Sequence, residues 1–344
     1  MTQETSLGQD ELFDAIARLI DEAHTIAICA HTNPDGDALG SQLALKLLID
    51  QRWPGKQVTC LLADDDPCPR IYAFLPGTGE LVHAFEYESN PDLFISVDLS
   101  VASRLNYGEA VMRRSRTVAI IDHHPCTQPY GDVALIRPEA AAAGVLVAEF
   151  AEHLGIVINP DVAQCLFCAI MTDTGRFQYQ NADAEAFQVA SMLVARGANP
   201  AEVSLNVYQS FRLAFLHLKS AIMGRITTFS HGRIAYSYAT IGDLERTGAS
   251  LDESDGLIDV VRSVAGSEVA LFLKEVPGGK VRGNLRSKGS KDISGVARAL
   301  GGGGHRAASG FTIEGGVDDA LCQALPLLKA LFEEGGAGDG PDAS

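Results

Sequence analysis

Basic side chains are scarce in this chain of 344 residues. It has 27 lysine and arginine residues against 44 aspartate and glutamate residues, which gives a net charge of −17. A protein that binds long nucleic acids without regard to sequence needs a basic surface to displace counterions from the phosphates. The acidic balance therefore argues against a general binder of long nucleic acids.

Long apolar runs and a disulfide framework are also missing. A membrane-spanning helix needs about 20 consecutive apolar residues, and the first ten residues here are polar and acidic, unlike a signal peptide. The seven cysteines are odd in number and scattered, which is typical of a reducing compartment. We therefore expect a cytoplasmic protein with no membrane partner. We also expect the CxxC pair Cys165 and Cys168 to be buried structural thiols rather than a metal or redox pair.

Those basic residues that are present gather towards the C-terminal end of the chain. The cluster predicts either a site for an anionic ligand or a solvated surface, and composition favours neither. Its members are Arg262, Lys274, Lys280, Arg282, Arg286, Lys288, Lys291, Arg298 and Arg306.

Apolar strand-like runs alternate with amphipathic helical runs over residues 10–208. Strands are predicted at residues 25–30, 58–63, 93–97 and 117–121, and helices at residues 13–23, 38–50, 140–153, 160–171, 184–196 and 201–206. Strands with little alternation, separated by helices, indicate a mostly parallel sheet that is covered on both faces. We therefore predict an α/β fold for this first domain.

The second half of the chain has a different pattern of predicted helices and strands. Residues 209–223 are predicted to form a helical linker, and residues 224–333 a smaller α+β domain with two hairpins, centred on Gly232 and on residues 277–279. Helices are predicted at residues 254–264, 293–300 and 317–332. The remaining residues, 334–344, are rich in glycine and aspartate and are predicted to be a disordered tail.

Aspartate and histidine residues recur at the points where apolar runs of the first domain end. Because the carboxyl ends of parallel strands share one edge of a sheet, such residues are expected to meet there. Carboxylates mixed with some imidazoles suit manganese better than zinc. The pattern predicts a metal centre, with two metals, built from His31, Asp35, Asp37, Asp98, Asp122, His123, His124 and Asp173.

Each of these residues also has an ordinary structural interpretation. Asp37 could cap the following helix, while Asp98 and Asp173 could be turn residues. The histidine pair could lie in a surface turn, but His123 can bind metal while His124 faces substrate, with Asp122 orienting an imidazole. Gly36 is expected to allow a tight turn between two of the ligands. The four groups together favour the metal centre.

Four consecutive glycines at residues 301–304 form the second notable motif. Such a run can close its backbone N–H groups around an anion, or it can be a flexible loop. His305 and Arg306 follow it and could add charged donors, and the segment Asn284-Leu285-Arg286-Ser287-Lys288 precedes it. The combination favours a phosphate or base site.

These motifs resemble those of a known family. The stretch HTNPDGDALGS at residues 31–41, Asp98, the DHH sequence at residues 122–124 and Asp173 resemble the four motifs of the DHH phosphoesterases. Residues 284–287 and 301–310 resemble the substrate-binding motifs of the DHH-associated C-terminal domain. The resemblance covers residues 13–332. It implies a five-stranded parallel sheet and an active-site cleft between the two domains.

The resemblance also implies a role for each motif residue. His31 and Asp35 would hold one Mn²⁺ and Asp37 and His123 a second, with Asp98 bridging both and Asp173 completing the site; Mg²⁺ or Co²⁺ could substitute. His124 would bind the scissile phosphate and assist as a general acid. Substrate would be held by Arg262, Arg286, Gly302, Gly303, Gly304 and His305. Asn284 and the alanines before Gly144 depart from the family pattern on the substrate side.

The group of the family that the chain resembles is the small stand-alone bacterial nanoRNases. The implied function is hydrolysis of short single-stranded RNA to 5′-mononucleotides and of pAp to AMP and phosphate, by a protein that could form a homodimer. Three alternatives are a phosphodiesterase for cyclic-di-AMP or pApA, a non-catalytic nucleotide-binding regulator and an inorganic pyrophosphatase. The complete ligand set disfavours the regulator. The glycine run disfavours the pyrophosphatase, because pyrophosphatases carry a different C-terminal domain.

Overall fold

A computed structural model of the protein describes residues 8–126, 128–289, 291–304 and 306–333. The chain divides into two units, Met1–Ser210 and Phe211–Ser344. Each has its own six-stranded sheet and its own hydrophobic cores. The predicted disordered tail, residues 334–344, lies outside the described residues.

The first unit contains a parallel sheet, which confirms the predicted α/β fold. Its strand order is β3-β2-β1-β4-β5-β6. Six strands are present instead of the five implied by resemblance; the edge strands β3 and β6 are short and mostly half-buried, so their sequence signal is weak. The strands are β1 (Thr25–Cys29), β2 (Gln57–Leu62), β3 (Val82–His83), β4 (Leu93–Val97), β5 (Thr117–Asp122) and β6 (Val133–Ile136).

Helices cover both faces of this sheet. The larger core lies on one face and includes residues of α1, α2, α4 and α5, while a smaller core on the other face includes Val111 of α3. The helices are α1 (Gln9–Glu22), α2 (Gly36–Arg52), α3 (Tyr107–Arg113), α4 (Ala143–His153), α5 (Pro160–Asp173), α6 (Ala184–Ala195) and α7 (Pro200–Tyr208).

Helix α5 confirms two predictions. Cys165 and Cys168 are buried free thiols within it, as expected of structural cysteines. It also confirms the helix predicted at residues 160–171, and Asp173 is its last residue. The apolar run before it is long enough for a helix, and Asn159 and Pro160 mark the helix start: Asn159 Oδ1 accepts the N–H of Val162 at 3.0 Å.

The order of the strands places a ligand site at one position of the sheet. Strand β1 lies between β2 and β4, so the chain winds in opposite directions on either side of the β1–β4 pair. In open α/β sheets, the crevice beyond the carboxyl ends of the strands at such a switch point is where ligands bind. The segments that follow β1, β4 and β5 all reach this edge.

The second unit is built on a mixed sheet in the order β11-β12-β10-β9-β8-β7. Its strands are β7 (Thr227–Phe229), β8 (Ile234–Ala239), β9 (Val269–Val276), β10 (Lys280–Ser287), β11 (Gly303–Gly304) and β12 (Ala308–Glu314). Both predicted hairpins are present as the antiparallel pairs β7–β8 and β9–β10, while β8 and β9 are parallel.

Helices of the second unit fill cores on both faces of its sheet. They are α8 (Leu213–Gly224), α9 (Ile241–Thr247), α10 (Ile258–Arg262), α11 (Ser294–Ala299) and α12 (Val317–Ala330). No helix in the described parts of either unit combines the length and the apolar character needed to cross a membrane.

Candidate metal centre

The loop after β1 supplies the first two side chains of the centre. Asp35 is the N-cap of α2, because its carboxylate accepts the N–H groups of Asp37 and Ala38, each at 3.0 Å. Asp35, rather than Asp37 as the sequence suggested, therefore caps the helix. His31 is buried, and its Nδ1 bonds to the carbonyl oxygen of Thr32 at 2.8 Å. That bond leaves Nε2 of His31 directed towards Asp98, whose Oδ2 is 3.3 Å away.

Asp37 lies in the first turn of α2 and is completely buried. Its carboxylate accepts the Ser41 hydroxyl at 2.8 Å and the backbone N–H groups of Ala143 and Gly144 at 2.7 and 2.9 Å. The N-terminus of α4 therefore faces this carboxylate and favours its negative charge.

Gly36 has a role different from the predicted tight turn. It is the first residue of α2 and does not adopt the left-handed conformation. A Cβ atom on it would lie 2.4 Å from Oγ1 and 2.6 Å from Cγ2 of Thr172. The glycine is needed because α2 passes very close to α5 at this point.

Asp98 occupies the middle of the site. It follows β4 in the left-handed conformation, with φ of 57°, and its N–H donates to the carbonyl of Ile121 at 2.9 Å. Its Oδ1 lies 3.3 Å from Nε2 of His123 and 3.4 Å from Nδ1 of His124. That buried oxygen has no hydrogen-bond partner among the described residues. A left-handed aspartate is a strained feature of the kind found at functional sites.

The two histidines after β5 have different surroundings. Nδ1–H of His123 donates to the carbonyl oxygen of Ala140 at 3.1 Å. Its Nε2 is 3.6 Å from Oδ2 of Asp37 and 3.7 Å from Oδ2 of Asp173. Nδ1 of His124 instead lies 2.8 Å from Oδ1 of Asp122, which confirms that Asp122 orients an imidazole.

Three sets of ligand atoms come together, each set within 4.8 Å. Asp98 and His123 each belong to two of them, so the sets form one connected cluster. An unpaired buried carboxylate oxygen beside imidazole nitrogens fits a bound cation, because a buried charge is stable only when paired. The sets are His31, Asp35 and Asp98; Asp37, His123 and Asp173; and Asp98, His123 and His124.

The charges of the cluster perturb one another strongly. Burial and the nearby Asp98 carboxylate raise the pKa of Asp37 to about 7, and burial raises the pKa of Asp173 well above its usual range. Burial disfavours the protonated form of both histidines. The surrounding carboxylates together outweigh this effect. Interaction with Asp98 and the charge of Asp35 raise the pKa of His31 to about 9, and interaction with Asp98 and the charges of Asp37 and Asp173 raise that of His123 to about 11. This concentration of carboxylates favours a positive charge at its centre.

Two residues that bond to the segments carrying the ligands were not predicted from the sequence. The Asn181 side-chain amide donates to the carbonyl oxygens of Ala141 and Asp173, at 3.0 and 3.2 Å. Asp64 accepts the Asn33 N–H at 2.5 Å and the Asn106 amide at 3.2 Å. Asp64 follows β2 at the same sheet edge, so the rule that found the other aspartates could have found it. Asn181 carries no such signal.

The predicted substrate residues lie in the second unit. Arg262 ends α10, and Arg286 lies on β10, where its guanidinium donates to the carbonyl of Leu285 at 3.0 Å. Asn284 and Gly302 line one groove of about 320 Å³ together with Arg282 and Phe311. His305 lies outside the described residues.

The glycine run has a partly structural role. Gly301 donates its N–H to the carbonyl of Arg298 and Gly302 to that of Ala297, at 3.0 and 2.8 Å, and these bonds end helix α11. A Cβ on Gly302 would lie 2.1 Å from the carbonyl oxygen of Gly310. Gly303 and Gly304 form the edge strand β11. The N–H groups of Gly301 and Gly302 are thus already bonded, and Gly303 and Gly304 pair with β12.

Two family models match these two units of the chain. The model for the DHH family, N-terminal domain, matches residues 25–170, and the model for the DHHA1 domain matches residues 231–334. The chain belongs to the DHH family. The family and the aspartate–histidine cluster together make it a phosphoesterase.

Relatives with described activities match most of the chain. The bifunctional oligoribonuclease and PAP phosphatase NrnA of Thermus thermophilus is 30% identical over 90% of this chain and 91% of its own length. The cyclic-di-AMP phosphodiesterase GdpP of Geobacillus thermodenitrificans is 24% identical, over 97% of this chain but only 52% of the relative.

Solved structures share the fold. An exopolyphosphatase-related protein from Bacteroides fragilis superposes with a TM-score of 0.88 at 23% identity, covering 97% of this chain and all of that one. RecJ from Thermus thermophilus in complex with Mn²⁺ has a TM-score of 0.54 at 16% identity, covering 97% of this chain and 55% of RecJ.

Proposed function

We propose that the protein is a manganese-dependent phosphoesterase that hydrolyses short RNA oligonucleotides to 5′-mononucleotides and pAp to AMP and phosphate. The observation that carries this proposal is the connected cluster in which Asp98 and His123 each belong to two ligand sets. The oligoribonuclease and PAP phosphatase activities named for the Thermus thermophilus relative support the choice of substrates.

The ligand set is suited to two divalent cations. We assign His31 and Asp35 to one cation and Asp37 and His123 to the other, with Asp98 shared between them and Asp173 completing the set. Four carboxylates favour a hard cation such as Mn²⁺, with Mg²⁺ or Co²⁺ as substitutes, and the RecJ structure contains Mn²⁺. Two such cations supply activation of water and stabilisation of charge on the phosphate oxygens.

The neighbouring residues position these groups and the substrate. The Ala140 carbonyl fixes the ring of His123, and Asp122 fixes that of His124. His124 is half-buried, so its ring can reach a phosphate while Asp122 holds the ring in place. We assign to His124 the binding of the scissile phosphate and the transfer of a proton to the leaving oxygen.

The second unit would bind the substrate away from the cations. Residues on β10 and in the groove beside Gly302 offer a guanidinium, an amide and backbone groups to a nucleotide. We assign this role to Arg262, Arg286, Gly302, Gly303, Gly304 and His305. Basic residues of the second unit, such as Arg262 and Arg286, would let a chain with a net charge of −17 hold a short anion.

A second candidate activity is hydrolysis of cyclic-di-AMP or of its linear product pApA. The match to GdpP over 97% of this chain favours it, although the chain spans only half of that relative. The chemistry at the cations would be the same. A non-catalytic nucleotide-binding regulator is disfavoured, because binding alone would not need the whole ligand cluster.

The decisive experiment is product analysis with the purified protein and Mn²⁺. RNA of two to five nucleotides, pAp, pApA and cyclic-di-AMP are compared at equal concentration. We expect rapid release of mononucleotides from the RNA and of phosphate from pAp, and slow opening of the cyclic dinucleotide. A preference for cyclic-di-AMP would favour the second candidate, and no turnover of any substrate would favour the regulator.

The same assay tests the site. We expect Asp98→Ala and His123→Ala to lower kcat for both substrate classes at least a thousandfold, because each change removes a ligand shared by two sets. His217→Ala, a histidine exposed on α8, is the matched control and should retain full activity. A folded Asp98→Ala protein with near-normal rates would refute the assignment.

We also propose that the enzyme acts in the cytoplasm as a homodimer. All seven cysteines are free, as is usual in a reducing compartment. The dimer is suggested by the family resemblance. Sedimentation of the purified protein across a range of concentrations would reveal whether the monomer or the dimer predominates.

A further inference from the structure

A cavity of about 350 Å³ lies in the first unit beside the metal centre. It is lined by Ser100, Val101, Ala102, Pro125, Cys126, Gln128 and Tyr130. These residues come from two loops, one after β4 and one after β5, that also carry Asp98 and His124. Ser100 is two residues from Asp98 and Pro125 follows His124 directly, so the cavity begins within about 7 Å of both residues.

The two loops are joined to each other and to the sheet. The Cys126 thiol donates to the carbonyl oxygen of Ser100 at 3.6 Å. The Tyr130 hydroxyl donates to Oγ of Ser96 at 2.6 Å and lies 3.3 Å from the carbonyl oxygen of Leu99. The walls are therefore preformed, as is usual for sites that bind small molecules.

One polar group in the cavity wall is unsatisfied. Ser100 is 3% exposed, and its hydroxyl oxygen has no hydrogen-bond partner in the described part of the chain. A buried hydroxyl without a partner is destabilising, so such groups are uncommon unless another group, such as a ligand, bonds to them. The hydroxyl could donate to or accept from a ribose or a base.

The chemistry of the remaining wall narrows the choice of ligand. Val101, Ala102 and Pro125 offer apolar surface, Gln128 offers an amide, and no lysine or arginine is among the described residues that line the cavity. A phosphate group would find no cationic partner there. The flat face of a base could pack on the apolar surface, and the hydroxyls of a ribose could bond to the amide. A volume of about 350 Å³ lies at the lower end of the range for small-ligand sites.

We propose that this cavity holds one nucleoside of a dinucleotide substrate, next to the scissile phosphate. The proposal rests on the proposed function and adds a specificity subsite to it. It has a direct consequence for substrate choice. In pAp the phosphate that is released carries a nucleoside on one side only, whereas in pApA the internal phosphate lies between two nucleosides.

The pair pAp and pApA therefore tests the subsite. Ala102→Trp would fill the cavity. Ser103→Trp is the matched control, because Ser103 follows Ala102 in the short 3₁₀ helix Ala102–Arg104, is exposed and does not line the cavity. We expect Ala102→Trp to lower kcat/KM for pApA at least tenfold more than kcat/KM for pAp. Ser103→Trp should leave kcat/KM unchanged for both pApA and pAp.

Ser100→Ala is a second, smaller change that removes only the unpartnered hydroxyl. It should lower kcat/KM for pApA three- to tenfold relative to pAp, chiefly through KM, and it decides the matter if Ala102→Trp fails to fold. Equal losses on the two substrates, or no loss on pApA in either variant, would overturn the subsite. Failure of the wild-type protein to hydrolyse either substrate would instead overturn the proposed function.

Discussion

At the scale of single residues, the metal centre depends on side chains that were easy to predict and on supports that were not. Asp98 illustrates the first kind, since the apolar run before it predicts its place after β4. The sequence does not predict its left-handed backbone, with φ of 57°, from which the carboxylate reaches both His31 and His123. Asn181 illustrates the second kind.

Asn181 links two parts of the centre. Its amide donates to Ala141, next to the carbonyl that holds His123, and to the backbone of Asp173. We therefore predict that Asn181→Ala weakens Mn²⁺ binding about tenfold, the lower end of the effect usual for outer-shell partners. Titration followed by the electron paramagnetic resonance of free Mn²⁺ measures this directly.

Asn206→Ala provides the control for that titration. The Asn206 amide bonds only to a carbonyl of its own helix, that of Glu202, among the contacts identified for it. Its replacement should leave Mn²⁺ affinity unchanged. If Asn181→Ala bound Mn²⁺ as tightly as the wild-type protein, Asn181 would have no positioning role.

Asp243, outside the candidate metal centre, has a strongly lowered pKa. It is buried, and although burial by itself would raise its pKa, the hydrogen bonds from Arg225 and Thr240 lower it below the usual range. A carboxyl with a lowered folded-state pKa stabilises the fold above its unfolded pKa of about 3.9, and this contribution is lost as the pH falls.

We predict that Asp243→Asn lowers the free energy of unfolding by about 2 kcal/mol at pH 7. The difference from the wild-type protein should shrink below about pH 4, because the Asp243 carboxyl of the unfolded chain is then increasingly protonated while that of the folded protein stays ionised. Urea unfolding at pH 7, 5 and 3.5 measures both effects. Glu245→Gln, exposed on the same helix α9, is the control, and a deficit that did not vary with pH would contradict the ion-pair explanation.

At the scale of elements, three helices converge on the metal centre through small residues. Gly40 of α2 faces the backbone of α5, where a Cβ would lie 2.4 Å from the carbonyl oxygen of Cys165. Gly144 of α4 faces α5, where a Cβ on Gly144 would lie 2.7 Å from the Cβ of Ala169. These close approaches allow α4 to present its N-terminus to Asp37.

Gly40→Ala separates packing from helix propensity. Propensity alone predicts a gain of about 1 kcal/mol from alanine in a helix. We predict instead a loss of about 1–3 kcal/mol, because the backbone of α5 cannot move aside without strain. Thermal and urea unfolding measure the change. Gly79→Ala, at an open position outside the left-handed region, should be nearly neutral, and a stabilised Gly40→Ala protein would show that the helices can separate.

Elements were predicted well where their sequence signal is local. Strands β1, β2, β4 and β5 were found because central strands of a parallel sheet are continuous apolar runs. Strand β12 was missed because its first residues were interpreted as part of a glycine-rich loop, although residues 308–314 pair with β10 over their whole length. Pairing between distant segments leaves no periodic signal in such a short stretch.

At the scale of the whole molecule, metal binding should stabilise only the first unit. The ligand cluster lies entirely within Met1–Ser210. A cation that binds the folded state alone adds about 2.7 kcal/mol at a concentration one hundred times its Kd. We predict that Mn²⁺ raises the melting temperature of the first unit above its value in chelator and leaves that of the second unit unchanged.

Differential scanning calorimetry with EDTA or Mn²⁺ tests this expectation. The Asp98→Ala protein is the comparison, because loss of the shared ligand should remove the shift. His217→Ala should show the wild-type shift. An equal Mn²⁺ effect on Asp98→Ala would place the stabilising cation somewhere other than this cluster.

The amino-acid sequence alone determined the α/β class, and it predicted a domain boundary near residue 209 and the aspartates and histidines that would bind metal. Each of these rests on short-range patterns: apolar runs, the residues that end them, and changes in composition. Only the tertiary structure decided which oxygen faces which nitrogen, that Asp35 rather than Asp37 caps α2, that Gly36 serves helix packing, and that Asn181 bonds to the backbone of Asp173. Those facts depend on close approaches between segments far apart in the chain, and such approaches leave no pattern along the sequence.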